Sequence, residues 1–115
     1  MMESHFRVVL STAPTAAAAR YMAEIIVQEH LAACVNIIPE VESIYKWQGE
    51  LCHTQEVYVL IKSDAARLPA LEARWLSLHP YDVAAFVVLP VVHASEPYAH
   101  WLRDALKPAT THTKI

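Results

Sequence analysis

A single glycine, Gly49, punctuates the 115 residues, and it stands between two long strand-like runs. Upstream, Ala33 to Trp47 places Val35, Ile37, Val41, Ser43, Tyr45 and Trp47 on alternate positions, the period of a half-buried strand. Pro39 has no N–H to donate, so it marks an edge or a bulge in that run. Gln48-Gly49 then supplies a tight turn, where a residue tolerant of positive φ is needed. The return run extends from Glu50 to about Lys62, with Val57-Tyr58-Val59-Leu60-Ile61 as its apolar section. Arms of roughly 13–15 residues at ~3.3 Å each span about 45 Å. A compact chain of this size is only about 35 Å across. The ribbon must therefore project, leaving Tyr45, Trp47 and Leu51 near its tip beyond the reach of the chain's own helices. Isolated two-stranded ribbons are marginal in water, and open strand edges invite pairing. These three residues are expected to pack against a neighbouring subunit.

The remaining elements arrange themselves around this ribbon. Phe6 to Thr12 is a short β-branched run closed by Pro14, with Thr15 placed to cap a helix from Ala16 to about His30. In that helix Ala18, Tyr21, Met22, Ile25 and Ile26 form the apolar stripe. After a connector at Asp64–Leu68, Pro69 suits the first turn of a second helix. Leu68, Leu71, Trp75 and Leu78 make its stripe, and His79-Pro80 ends it. Val83 to Val92 reads as the last strand, and Ser95 begins a final helix carrying Tyr98, Trp101, Leu102, Ala105 and Leu106. The order βαββαβ plus a helix predicts an α+β, ferredoxin-like fold, a four-stranded antiparallel sheet with one face covered by helices and an extended hairpin. Residues 1–115 read as one domain, with 109–115 as a flexible tail.

Composition narrows the function classes. Hydrophobic residues make up 55% of the chain, above the usual ~45–50%. No run approaches the ~18 apolar residues of a membrane span, so the surplus points to a subunit interface rather than a bilayer. Net charge is −3 and Lys/Arg are unclustered, which disfavours nucleic acid. The first residues lack the basic, apolar and small-residue order of a secretory signal, and Cys34 and Cys52 imply no disulfide framework. A cytoplasmic protein is expected. Catalytic signatures are missing from the sequence: Ser11-Thr12 lies in no nucleophile motif, and one glycine leaves no phosphate loop.

Seven histidines suggest metal chemistry by number, yet none forms a His-x-x-x-His pair, and there is no Cys-x-x-Cys. Cys34 has the profile of a small buried apolar residue. Pairing Trp47 with Glu50 places Cys52 opposite Tyr45 and far from Cys34, which rules out an intrachain disulfide. Cys52 beside His53 offers at most a soft-cation contact. Glu56 and Lys62 share one side of the return strand about 20 Å apart, so they are not partners within one chain without a bulge. Each suits an inter-subunit ion pair or a cleft. Trp75 and Trp101 read as packing residues, whereas Trp47 near the tip needs a cover, either another subunit or a stacked ligand.

The segments Leu31-Ala-Ala-Cys-Val-Asn-Ile-Ile-Pro39, Ser43-Ile-Tyr-Lys-Trp-Gln-Gly49, His79-Pro80-Tyr81, Leu89-Pro90 and Tyr98-Ala-His-Trp101 resemble the CutA family, in the family's order from about Val8 to Leu106. The resemblance implies a trimeric ferredoxin-like domain with ribbons wrapping between subunits, tolerance of divalent cations, copper binding and no known enzymatic activity. It also implies an inter-subunit cleft at Trp47, Glu56, Lys62, His79 and Tyr81. Among the histidines His79 is the best candidate for metal or ligand contact, the alternative being a helix-terminal histidine paired with carbonyls or the helix dipole. No obligatory cofactor follows; copper or another divalent cation is the expected ligand. This chain departs from the family where a first-strand cysteine linked to copper is Ser11, where a second histidine is Leu78, and where Pro-Glu is replaced by Ala84-Ala85. A glycine usual after the last strand is Ala94. The leading expectation is a non-enzymatic homotrimer binding divalent metal near its clefts. The alternatives are a PII-like sensor of a small metabolite and a purely structural trimeric scaffold.

Overall fold

The structure, a computed structural model, describes residues 4–108. The tail expected at 109–115 lies outside them. In chain order the elements are β1 (Phe6–Ala13), α1 (Ala16–Gln28), β2 (Cys34–Trp47), β3 (Glu50–Asp64), α2 (Leu68–Leu78), β4 (Val87–Pro90) and α3 (Glu96–Leu106). The strands form one antiparallel sheet in the order β2-β3-β1-β4, with β1 paired to both β3 and β4. This is the expected α+β, ferredoxin-like arrangement.

Local chemistry explains the element ends. Thr15 is extended and its Oγ1 accepts the Ala18 N–H at 3.1 Å, starting α1 as read from the sequence. At the other end His30 takes φ 60°, and the Leu31 and His30 N–H groups donate back to the Ile26 and Val27 carbonyls. That is a helix stop in which glycine is the usual residue. With one glycine in the chain, the left-handed positions pass to His30, Glu40 and Gln48. Gly49 follows Gln48 with φ 83°, so both turn residues have positive φ, as a two-residue hairpin requires.

Two layers result. The odd-numbered residues of β1 and β3 (Val9, Val57, Val59, Ile61) face α1 and α2, where Met22, Ile26, Leu71 and Trp75 complete the main core. The α1 stripe runs through Ala19, Met22, Ala23 and Ile26, and Tyr21 is turned out to solvent, contrary to the expected stripe. Likewise in α3 the buried residues are Ala99, Leu102 and Leu106, packed with Phe6 and Ala33, while Trp101 stays exposed and stacks on Tyr98 at 5.6 Å. Arg67 joins these parts: its guanidinium donates to Asp64, to the His30 carbonyl and to the Leu106 carbonyl at the end of α3.

Two further sequence expectations need correction. The last strand is far shorter than Val83–Val92, because the stretch before Val87 spends its hydrogen bonds elsewhere: the Ala85 carbonyl accepts from the Ser11 side chain at 2.7 Å. The alternation across β2 is also not continuous. Ile38 pairs with Tyr58 but Val41 pairs with Glu56, so one extra residue enters at Pro39-Glu40. A side-chain period of two makes any single insertion switch faces. Val35 and Ile37 thus pack on the helix side, whereas Val41, Ser43, Tyr45 and Trp47 lie on the opposite side, together with Glu56.

The ribbon projects as anticipated. The chain measures 57 × 40 × 23 Å with a radius of gyration of 15.8 Å, against about 13 Å for a compact body of this length. Tyr45, Trp47 and Leu51 are exposed at its far end. Among the described residues no helix is long and apolar enough to cross a membrane.

Candidate functional site

β1 ends at Ala13, opposite Val57, while β3 continues seven residues beyond that pairing to Glu50. Beside Glu56 the sheet therefore loses its β1 neighbour, and the segment after α2 folds into the vacated place. Tyr81 donates its hydroxyl to Glu56 Oε1 at 2.8 Å. A cleft of about 540 Å³ opens here, lined by Tyr45 and Trp47 from the ribbon, Glu56 from β3, and Tyr81, Asp82 and Val83 from the loop.

His79 builds this corner. Its Nε2 is 2.7 Å from the Thr12 carbonyl, which can only accept, so Nε2 carries the proton and donates. Nδ1 then holds the lone pair and accepts the Tyr81 N–H at 3.1 Å. The ring is buried at 8% exposure and lies 4.8 Å from the Tyr81 ring. Both nitrogens are thereby committed to backbone, and no lone pair is left for a metal ion. In this arrangement His79 positions Tyr81 rather than acting as a ligand.

Glu56 is buried at 9% exposure, and its one side-chain hydrogen bond among the described residues is the contact with Tyr81. No ion pair among the described residues involves Glu56 or Asp82. Burial, followed by the adjacent Glu56 carboxylate, holds the Tyr81 phenol far above its ordinary pKa, so it remains a proton donor. None of the cleft-lining side chains is basic.

The residues nominated from sequence thus divide. Trp47, Glu56 and Tyr81 meet in one cleft, with Tyr45 and His79 beside them. Lys62 does not join them. It lies six residues up β3, donates to the Tyr98 hydroxyl at 3.0 Å, and holds its ammonium 5.2 Å from that ring's centre. The Tyr98 contact raises the Lys62 pKa. Leu51 sits outside the cleft, exposed at the tip. Asp82 was not anticipated as a cleft residue: it sits in a loop with no motif of its own, and only the path of that loop around β1 brings it here.

Ser11 is buried at 1% exposure, accepts the Trp75 indole N–H at 2.9 Å and donates to the Ala85 carbonyl. It has no open side toward an ion. Cys34 pairs with Lys62 at one end of the ribbon and Cys52 with Tyr45 near the other, both as free thiols. Ten residues of β3 separate those two positions, on the order of 30 Å, so they cannot be bridged. Among the described residues no three His, Cys, Asp or Glu side chains come together to hold a metal ion. A soft copper centre within one chain does not fit these residues.

Comparison with known proteins agrees with this architecture. The family model described as CutA1 divalent ion tolerance protein matches residues 7–105. The chain belongs to the CutA family. Among curated CutA relatives, the "Divalent-cation tolerance protein CutA" of Thermus thermophilus is 45% identical over 97 residues, covering 84% of this chain and 94% of that protein. Mouse "Protein CutA" is 42% identical over 93 residues, 81% of this chain, and the match spans 52% of the mouse protein, about half its length. The solved structure of Thermus thermophilus CutA1 superposes with a TM-score of 0.84 at 44% identity, covering 87% of this chain and 97% of that one. CutA from Xylella fastidiosa gives a TM-score of 0.87 at 34% identity, covering 90% and 100%.

Proposed function

We propose that this CutA-family chain is a non-enzymatic homotrimer whose clefts bind divalent cations weakly through oxygen ligands. The observation that carries the cation reading is Glu56: a carboxylate nine-tenths buried, facing a cavity, with no cationic partner among the described residues. A buried carboxylate is costly unless a positive charge meets it. Carboxylate and carbonyl oxygens suit hard divalent ions, whereas copper favours the imidazole and thiolate donors that are engaged or missing here.

Assembly is supported by the sheet face away from α1 and α2. Val8, Leu10, Ile38, Tyr58, Leu60, Val87 and Leu89 share that face by register, and Ile38, Val87 and Leu89 are 43%, 51% and 44% exposed. A contiguous apolar face of this kind, continuous with the exposed ribbon, marks a subunit contact. A threefold assembly would close the cleft with residues of a neighbouring chain and complete a coordination shell that one chain lacks.

Sedimentation velocity at micromolar concentration is expected to give a single species of three chains. Calorimetric titration with Mn²⁺ is expected to give heats that Glu56→Gln abolishes. Equal heats from wild type and Glu56→Gln would remove the cleft from the account. His79→Ala is expected to lower stability rather than to act as a ligand loss. A second reading, a sensor of a small organic ligand, is favoured by one observation: the cleft has walls of Tyr45, Trp47 and Tyr81 and far more room than one ion needs.

A further inference from the structure

The walls of the cleft bear on which cation it takes. A divalent ion is satisfied by oxygens at about 2.0–2.6 Å and makes no use of aromatic faces. The cavity of about 540 Å³ is instead bounded by Tyr45, Trp47 and Tyr81, with the Glu56 carboxylate in its floor and Asp82 on the same lining. In the single chain Tyr45 and Trp47 are 42% and 45% exposed, ring surface that a ligand would share with the neighbouring subunit that closes the cleft. Anionic ligands meet the wrong chemistry, since the lining contains two carboxylates and no basic side chain.

Aromatic faces attract cations through their quadrupoles, most strongly when the cation is weakly hydrated. An alkylated ammonium ion combines a diffuse charge with an apolar skin, so it gains from rings and carboxylate together. Glu56 has its Oε1 occupied by Tyr81 and has no cationic partner among the described residues. Tyr81, held by His79, keeps that carboxylate oriented. We infer that the cleft is a site for an organic ammonium ion, with Glu56 as its counter-charge and Trp47, Tyr45 and Tyr81 as its aromatic walls. This inference rests on reading the cleft as cation-binding, and it adds an alkylated amine to the divalent cations as a ligand that fills the cleft.

Calorimetric titration of the full chain with choline tests it, with 3,3-dimethyl-1-butanol as the uncharged isostere and Mn²⁺ as the metal control. Choline is expected to bind, and the alcohol to bind at least about tenfold more weakly. Trp47→Ala is expected to weaken choline about tenfold, and Trp47→Phe by no more than about threefold, because a ring is retained. Glu56→Gln should abolish choline binding while keeping an acceptor for Tyr81, so the corner stays folded. Choline and the alcohol binding alike would overturn the inference, as would choline binding unchanged by Trp47→Ala. If Mn²⁺ binds and choline does not, the ammonium assignment fails and the cation-binding cleft stands. If neither binds, both fail.

Discussion

Ser11 shows how one atom redirects a position. Where the family resemblance expects a thiol, a hydroxyl here joins the Trp75 indole to the Ala85 carbonyl inside the core. Ser11→Ala strands a buried indole N–H, so unfolding stability is expected to fall by about 1–3 kcal/mol. Urea unfolding followed by tryptophan fluorescence checks this; an unchanged midpoint would mean that the indole finds another acceptor. His30 argues the opposite direction. It occupies a left-handed stop at φ 60° and leaves Nδ1 buried without a partner among the described residues. His30→Gly removes both burdens and is expected to stabilise the protein by about 1 kcal/mol, less the added chain entropy of glycine. Neither role was legible in the sequence. For Ser11 the reason is distance, since its hydrogen-bond partners lie 64 and 74 residues away and leave no local trace; His30 read only as the end of a helix, because the glycine that usually marks a left-handed stop is missing there.

At the scale of elements, the bulge at Pro39-Glu40 decides which side of the sheet carries the cleft. Its existence was legible, since Pro39 has no N–H for a ladder. Its consequence was not: the run from Val35 to Trp47 reads as one continuous alternation, and the sequence contains no mark of the slip. Deleting Glu40 removes the one extra residue, so Pro39 would meet Val57 while Val41 still meets Glu56, and Tyr45 and Trp47 stay on the Glu56 side. Calorimetry is expected to show choline binding changed by no more than about threefold. A loss of more than about tenfold in a folded deletion variant would show that the bend at the bulge, and not register alone, aims the tip aromatics at Glu56. The last strand failed for a related reason. Hydrophobic content from Val83 to Val92 looks uniform, but the ladder with β1 runs only opposite Arg7–Leu10, with one further bond from the Val91 N–H to the Phe6 carbonyl.

For the whole molecule, the open face is the feature with the largest consequence. Leu60 lies near its centre, between Asn36 on β2 and Leu10 on β1. Leu60→Asp places a charge where sister subunits would meet, and sedimentation is expected to shift from three chains to one. Circular dichroism should retain the sheet signal, because Leu60 is not in the main core against α1 and α2. A trimer that survives Leu60→Asp would place the assembly contact elsewhere. The projecting ribbon was deducible from counting residues between turns, and the dimensions of 57 × 40 × 23 Å agree with that count.

Sequence alone determined the order of elements, the hairpin turn at Gly49, the cap at Thr15 and the family. All of these depend on residues a few positions apart, where period, φ preference and a missing N–H act directly. Tertiary structure decided that Trp47, Glu56 and Tyr81 share one cleft, that Lys62 stands apart with Tyr98, and that both nitrogens of His79 are spent on backbone. Those outcomes depend on where β1 stops and how a loop turns around it. Strand register and packing set such distances, and neither is written in the local run of residues.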